Sequence, residues 1–364
     1  MISFNINKKD VQEIPKCFVC DSKRNIILAN VYYKNEFIIF QTTYCNRCSH
    51  IYRSIRPKIS WLEKAWKKRE RIQLKNKISY VNSSIEKNRE RRYKKIFKFL
   101  NNKIEFKSIL DVGCGPGTGL KHLTKNKNVF GLEPDNTRAK IAIKNKIKII
   151  NSKIENISTK EKFDLVTCIQ SLEHFYNPRI CLESMKKIIK EDGYIFIEVP
   201  NFFNHVKSWH DSIYLGHMSN FTKKSFLEIF YKCGLEPKYL CYTQTGRYGE
   251  YNLAILAKKN SSKKKAVVKI KQKYNQKKIY DLYLKDIKFK KKIPLNFNIN
   301  IINDLSLMYK PNQKISTSLI QNIFERSCYY NKDINKFEIS LKKSNQKKTI
   351  KRNKIDKNIK FLEI

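Results

Sequence analysis

The feature that most constrains this chain is a run of buried character, Ser108-Ile109-Leu110-Asp111-Val112, that breaks into Gly113-Cys114-Gly115-Pro116-Gly117-Thr118-Gly119. A continuous apolar strand suits a parallel sheet covered on both faces. Glycines directly after it let the backbone turn sharply and approach a ligand without side chains in the way. The spacing predicts a strand, a glycine-rich turn and then a helix whose first N–H groups face the ligand. Six further strand-like runs follow at Val129–Glu133, Ile147–Ile150, Phe163–Ile169, Tyr194–Val199, Pro237–Tyr242 and Tyr251–Ala257. Helical spacing separates them at Asn136–Ile143, Arg179–Ile189 and Lys223–Cys233, the last stopped by Gly234. The alternation reads as a βαβ series. Between the last two strands there is no room for a crossover helix, so they are expected to form an antiparallel hairpin at the sheet edge.

Around this core the 364-residue chain divides into segments of different character. Residues 15–56 carry two cysteine pairs and short β-like runs, as a zinc-ribbon module would. Residues 57–106 are rich in Trp, Lys, Arg and Glu at helical spacing and read as a basic helical connector. Residues 107–259 are the βαβ domain. After the break Asn260-Ser261-Ser262-Lys263, residues 260–364 form a lysine-rich extension, in which Tyr280–Ile287 and Ser316–Arg326 have some helical character.

Charge is distributed unevenly among these segments. The whole chain carries 76 Lys+Arg against 32 Asp+Glu, a formal +44. Residues 108–200 hold 15 basic and 11 acidic residues, whereas 53–107 hold 19 and 5, and 261–364 hold 27 and 8. The excess therefore lies outside the part that looks enzymatic. Two sources stay open: compositional drift, since Lys far outnumbers Arg and Ile and Asn are also abundant, or a polyanionic substrate or partner. At 41% hydrophobic residues the chain is too apolar for a wholly disordered basic protein. No apolar run approaches the roughly 20 residues of a membrane span. Residues 1–16 lack the apolar core of a secretory signal, so a cytoplasmic location is expected.

Ten cysteines without such a signal argue against a disulfide framework. Cys17-Phe18-Val19-Cys20 and Cys45-Asn46-Arg47-Cys48 are C-x2-C knuckles separated by 24 residues, and supply four thiolates for a tetrahedral zinc ion. A set of four thiols leaves no open coordination position, so the expected role is structural. His50 is expected at the surface rather than as a ligand. Cys114, Cys168, Cys181, Cys233, Cys241 and Cys328 read as small buried hydrophobes.

Two phosphate-binding alternatives can be weighed at the glycine turn. A dinucleotide fingerprint needs glycines spaced G-x-G-x-x-G, but Thr118 stands at the third position. No Lys-Ser/Thr pair follows, which excludes a P-loop. Asp111 lies two residues before the first glycine, within reach of a ligand amino group. Glu133 ends the second strand 22 residues on, where a carboxylate can accept both hydroxyls of a ribose.

The set resembles the class I S-adenosylmethionine-dependent methyltransferases over roughly residues 80–259. Asp111, Gly113, Gly115 and Gly117 match the family's first motif, and Glu133 matches its ribose carboxylate. Phe163–Val166 with Ser171-Leu172-Glu173-His174-Phe175-Tyr176-Asn177-Pro178 is similar to its fourth-strand segment, and Asp192–Asn201 to its fifth strand. The resemblance implies an α/β, Rossmann-like fold: a seven-stranded sheet, six strands parallel and the last antiparallel, with helices on both faces. It also implies S-adenosylmethionine as cofactor, with Gln170 and Ser171 placed to contact it or the acceptor. The cysteine knuckles resemble a zinc ribbon, in particular the N-terminal zinc module of some small-molecule methyltransferases, including sugar C-methyltransferases.

A hydroxyl or carbon nucleophile needs a proton acceptor, and histidine titrates in the right range. His174 follows the fourth strand. His217 lies in Gly216-His217-Met218-Ser219-Asn220-Phe221-Thr222, which resembles the H-x-x-x-F-T turn of related enzymes. Glu173 is a candidate ligand for a divalent cation, and Tyr80 a candidate to close over cofactor or substrate. The D/N-P-P-Y/F tetrapeptide of base-amino methyltransferases is replaced here by Gln170-Ser171-Leu172-Glu173. The expected acceptor is a small hydroxylated molecule, such as a nucleotide-linked sugar or surface-glycan precursor, whose phosphates would suit a basic surface. An RNA-directed methyltransferase, with nucleic acid as partner, stays open. So does a non-catalytic basic zinc-ribbon adaptor with a vestigial Rossmann-like domain.

Overall fold

In a computed structural model of the chain, residues 6–33, 37–75, 83–150, 152–202, 216–244, 251–259, 336–339 and 360–363 are described. Tyr80, Cys328 and the stretches Tyr280–Ile287 and Ser316–Arg326 lie outside them. The chain forms two compact units: one from residues 1–69, 201–225 and 270–354, the other from 70–200, 226–269 and 355–364.

The second unit is the α/β domain. Its strands are β5 (Ser108–Val112), β6 (Asn128–Leu132), β7 (Lys148–Ile150), β8 (Phe163–Ile169), β9 (Ile189–Pro200), β11 (Leu235–Gln244), β12 (Tyr251–Lys259) and β14 (Lys360–Glu363). They lie in the order β14-β11-β12-β9-β8-β5-β6-β7. β7, β6, β5, β8 and β9 pair in parallel. β12 is antiparallel to both β9 and β11. This is the expected seven-stranded sheet with the expected hairpin, and β14 adds an eighth strand parallel to β11.

The strands lie where the apolar runs predict them because those runs are the core: Ile109, Leu110, Val112, Leu165, Val166, Ile195, Phe196 and Ile197 are all fully buried. Helices α2 (Ser83–Asn101), α3 (Asn136–Lys144) and α4 (Pro178–Ile188) belong to this unit, and α5 (Lys223–Lys232) enters it at Phe226. α4 starts where proline suits the first helical position, with the Asn177 side chain accepting from the Arg179 N–H at 3.1 Å. Ile96, Phe97 and Leu100 of α2 pack with Ile104, Phe106, Ile109 and Leu120 in one cluster.

One local expectation fails. The glycine turn does not open a helix; residues 114–124 are turns with a single 3-10 turn at Lys121–Leu123. Its bonds are of the i→i+3 kind, Gly117 N–H to Cys114 O at 3.2 Å and Leu120 N–H to Gly117 O at 3.0 Å. The reason is composition and crowding. Glycines carry the lowest helix propensity after proline, and a Cβ at Gly119 would stand 2.4 Å from the Tyr93 ring. The stretch must pass close under α2, and only a bare backbone does so.

The first unit is built on an antiparallel sheet. β1 (Val11–Glu13), β4 (Ile51–Pro57), β3 (Phe37–Cys45), β2 (Asn25–Tyr33) and β13 (Lys336–Ile339) lie in that order, and β10 (Ser219–Asn220) pairs with β4. α1 (Ile59–Lys75) begins in this unit, two residues beyond β4. β2 and β3 fall on the short β-like runs expected within residues 15–56, and β4 is a third strand that the sequence reading did not name. β10 brings residues far along the chain beside Ile51 and Tyr52.

Candidate functional site

In the α/β unit the carboxyl ends of β5, β6, β8 and β9 carry the residues singled out above. β5 ends in Asp111-Val112 and the turn that follows has φ of 77° at Gly113 and 58° at Gly115, left-handed backbone that glycine adopts without strain. Asp111 is wholly buried. Tyr93 Oη donates to its Oδ2 at 2.9 Å and Thr167 Oγ1 donates to its Oδ1 at 2.6 Å. Burial pushes the Asp111 carboxyl up to about 7, against the two hydroxyl donors that favour its charged form. Both oxygens are thus occupied within the protein, so Asp111 is a brace between α2, β5 and β8.

Glu133 stands just past β6 with both oxygens engaged by backbone. Gly115 N–H donates to Oε2 and Asp135 N–H donates to Oε1, each at 2.9 Å. Burial raises its pKa as well. Asp135 in turn caps α3, accepting from Thr137 N–H at 2.9 Å and Arg138 N–H at 3.0 Å. The carboxylate at the β6 tip, the glycine turn and the start of α3 therefore form one connected unit. Each carboxylate oxygen keeps a further lone pair for a hydroxyl donor.

Gln170 and Ser171 end β8. Ser171 Oγ lies 3.5 Å from Gly113 O, and a Cβ at Gly113 would meet that Oγ at 2.5 Å, so the two turns are packed face to face. Gly117 is crowded by Ile147 and Ala142 and does not face the same space as Gly115. His174 follows in a 3-10 turn, 44% exposed, with Nε2 3.8 Å from Oε1 of the buried Glu173.

The sequence reading expected a helical connector over 57–106 but named no residue of α2 as a site candidate apart from the preceding Tyr80. The inward face of α2 is apolar in the C-terminal half but polar in the N-terminal half, through Glu86, Arg89, Arg92 and Tyr93. Arg89 Nη1 donates to Glu86 Oε1 at 2.5 Å, and its guanidinium lies 3.6–3.9 Å from where a Gly115 Cβ would stand. Glu86 is 6% exposed and its Oε2 has no hydrogen-bond partner among the described residues. The signal was available: Glu86, Arg89 and Arg92 stand at i, i+3 and i+6 on a helix preceding the glycine strand and share one face with Tyr93.

In the other unit the four thiols Cys17, Cys20, Cys45 and Cys48 are buried and lie within 4.8 Å of one another. Cys17–Cys48 and Cys20–Cys45 are each 3.5 Å apart between sulfurs. A zinc ion with four Zn–S bonds of about 2.3 Å separates its sulfurs by about 3.8 Å, while a disulfide would need about 2.05 Å. The two knuckles are copies of one turn. Asp21 N–H donates to Cys17 O and Ser49 N–H to Cys45 O, at 2.9 and 2.8 Å. Cys17 N–H donates to Ser22 O and Cys45 N–H to His50 O, at 3.0 and 2.8 Å. Asp21 and Ser49 are left-handed, at φ 60° and 64°. The cluster is compatible with zinc.

His50 corrects the sequence reading: it is fully buried rather than at the surface, stacked 5.9 Å from Tyr52 and 5.0 Å from Phe221, and burial lowers it to about 4. It lies outside the thiol cluster. β10 accounts for this, because its pairing with β4 carries Phe221 over His50. His217 is half-buried two residues before β10. The rest of its turn has structural work: Phe221 is buried, and Thr222 opens α5 by exchanging bonds with Ser225, Thr222 N–H to Oγ at 2.9 Å and Ser225 N–H to Oγ1 at 3.2 Å.

Residues 85–239 match the family described as a methyltransferase domain. Among characterised proteins, the ubiquinone biosynthesis O-methyltransferase of Glaesserella parasuis serovar 5 (strain SH0165) is 31% identical over 108 residues, 26% of this chain and 46% of that protein. Its counterpart in Hydrogenovibrio crunogenus (strain DSM 25203 / XCL-2) is 32% identical over 107 residues, 27% of this chain and 44% of that protein. The chain thus spans about half the length of the curated relatives it matches. Among solved structures, an S-adenosylmethionine-dependent methyltransferase of Thermotoga maritima, described as a possible histamine N-methyltransferase, aligns with TM-score 0.42 and 16% identity over 54% of this chain and 99% of that one. One from Clostridium acetobutylicum ATCC 824 aligns with TM-score 0.39 and 14% identity over 54% and 99%. Residues 85–239 of this chain are thus similar to a methyltransferase domain.

Proposed function

We propose that this protein is an S-adenosylmethionine-dependent methyltransferase acting on a hydroxyl or carbon of a small molecule. The observation that carries the reading is the joined cradle of Gly115, Glu133 and Asp135, in which a bare left-handed turn meets a carboxylate held by two backbone N–H groups. A ribose seated there donates its hydroxyls to Glu133, and the amino-acid end of the cofactor lies over the glycine turn. Arg89 is the cation for its carboxylate, and the open oxygen of Glu86 an acceptor for its ammonium. Asp111 acts through Tyr93, fixing the helix that supplies both.

The bound cofactor supplies an electrophilic methyl group. The chain supplies position and a route for the proton. His174, which follows β8 in the same unit as the cradle with its Nε2 3.8 Å from Glu173 Oε1, is the proton acceptor in this proposal. For His217 the resemblance alone carries the same role. The O-methyltransferase relatives support a hydroxyl acceptor. The finer reading, a nucleotide-linked sugar or surface-glycan precursor, rests on the resemblance of the cysteine module alone. Zinc held by Cys17, Cys20, Cys45 and Cys48 is structural in this proposal, replacing the core that a small antiparallel sheet lacks.

The test is mass spectrometry of acceptor pools of defined class, incubated with the full chain and isotopically labelled S-adenosylmethionine. Label in a hydroxylated small molecule is the expected result. Label in RNA only, or cofactor binding with no transfer to any pool, refutes it.

A further inference from the structure

The carboxyl ends of β8 and β9 hold another buried acid that the cradle does not use. Glu198 in β9 is wholly buried, and donors converge on it. Gln170 Nε2 donates to Oε1 at 3.1 Å, Thr243 Oγ1 donates to Oε2 at 2.7 Å, and Arg92 Nε lies 3.8 Å from Oε1. The main chain is tied at the same place, with Gln170 N–H donating to Glu198 O at 2.8 Å. Gln170 is held at φ 54°, left-handed backbone that a non-glycine residue adopts only where its surroundings hold it there. Backbone and side chain of Gln170 are thus both fixed by one residue.

A carboxylate among donors offers acceptor oxygens only. The Gln170 amide therefore has to turn its NH2 toward Glu198, which leaves Oε1 directed away from it. Gln170 is half-buried, and its neighbour Ser171 packs on Gly113 of the cofactor turn.

We propose that Glu198 is a positioning residue that locks the Gln170 amide with its carbonyl oxygen toward the cationic sulfur of the cofactor, favouring the sulfonium over the thioether product. The proposal rests on the cofactor reading given above. A carbonyl dipole fixed beside a cation is worth a tenfold preference for about 1.4 kcal/mol. Against an uncharged thioether it gains nothing.

The test measures affinity of the full chain for S-adenosylmethionine and for S-adenosylhomocysteine by calorimetry, and takes their ratio. Glu198→Gln frees the amide to rotate, and the preference for the sulfonium is expected to fall about fivefold; Gln170→Leu removes the oxygen and lowers it about tenfold. Joining Glu198→Gln to Gln170→Glu rebuilds the pair with roles exchanged: residue 198 donates, and residue 170 keeps an acceptor oxygen on the pocket side. That exchange is expected to restore the ratio to within about twofold of the wild type or above it. A residue that only supports the fold would move both affinities together and would not be rescued. An unchanged ratio in both single variants, or an exchange variant that unfolds normally on heating yet fails to recover, overturns the proposal. Should Glu198→Gln not fold, Gln170→Leu and the exchange variant still decide. A wild-type chain binding neither compound overturns the cofactor reading itself.

Discussion

Replacing Tyr93 with Phe removes one hydroxyl and leaves the ring that packs against Gly119. That hydroxyl is one of two donors to a wholly buried carboxylate, at 2.9 Å from Asp111 Oδ2. The wild-type fold already works against ionisation here. Carrying the Asp111 carboxyl from 3.8 to about 7 makes the folded state lose stability as pH rises between those values, by about 4 kcal/mol once both states are ionised. The stability is complete below the unfolded value and is lost through the folded one. In Tyr93→Phe the charged form loses a donor, so the folded value rises further and the extra loss falls at still higher pH. At pH 5.5 the native carboxyl is protonated with or without the hydroxyl, and the substitution costs about 1 kcal/mol, a neutral hydrogen bond. At pH 9 it costs about 2–3 kcal/mol, the larger value for a bond to a charged group. Urea titrations of both proteins at the two pH values, with the slope checked for constancy, measure the difference. Equal penalties at both pH values, or a larger one at pH 5.5, would refute the brace assigned to Asp111.

Gly115→Leu places a side chain in left-handed backbone against the Arg89 guanidinium 3.6 Å away; the sheet should persist by circular dichroism while S-adenosylmethionine affinity falls at least about 100-fold by calorimetry. If affinity survives, the turn is not the cofactor seat. Zinc should be found at one ion per chain by metal analysis, and Cys17→Ser or strong chelation should melt the antiparallel sheet; four freely titrating thiols in the native chain would dispose of the metal. His174→Ala should lower turnover about 100-fold with cofactor affinity unchanged, as removing a proton acceptor does. If instead cofactor affinity falls and turnover of bound cofactor does not, His174 holds the cofactor loop and is no base.

The α/β unit was legible because its strands are buried on both faces: in Phe163–Ile169 every residue but Asp164 is buried, and the run reads as mostly apolar. That Glu133 meets the glycine turn was legible from its place at the tip of the second strand, and the Gly115 N–H donates to it. Three things were not. The turn after β5 resembles a helix start locally, and its glycine content together with the close approach of the Tyr93 ring to Gly119 keeps it from continuing as one. α2 carries Glu86, Arg89 and Arg92 at helical spacing, a pattern identical to a solvated face until the packing partner is known. His50 is polar and follows a turn, both marks of the surface. What buries it is Phe221, more than 150 residues away in sequence and brought over it by a two-residue strand. Pairings of that length leave no local trace.

The charge of the chain and the charge of the site oppose each other. The excess of basic residues lies in 53–107 and 261–364, whereas the strand ends gather Asp111, Glu133, Glu173 and Glu198, each at most 5% exposed. Buried carboxylates are costly unless donors or cations answer them. Tyr93, Thr167 and Thr243 supply hydroxyls, backbone N–H groups answer Glu133, and Arg89 and Arg92 supply guanidinium groups from α2. Burial still raises Asp111, Glu133 and Glu198 above ordinary carboxylates. A site in that condition gains from a cation and gains nothing from a phosphate. The cofactor of the proposed reaction is a sulfonium, so the acid-lined strand ends and not the lysines are its electrostatic match, and of the basic segments only Arg89 has a part in the proposed cofactor seat.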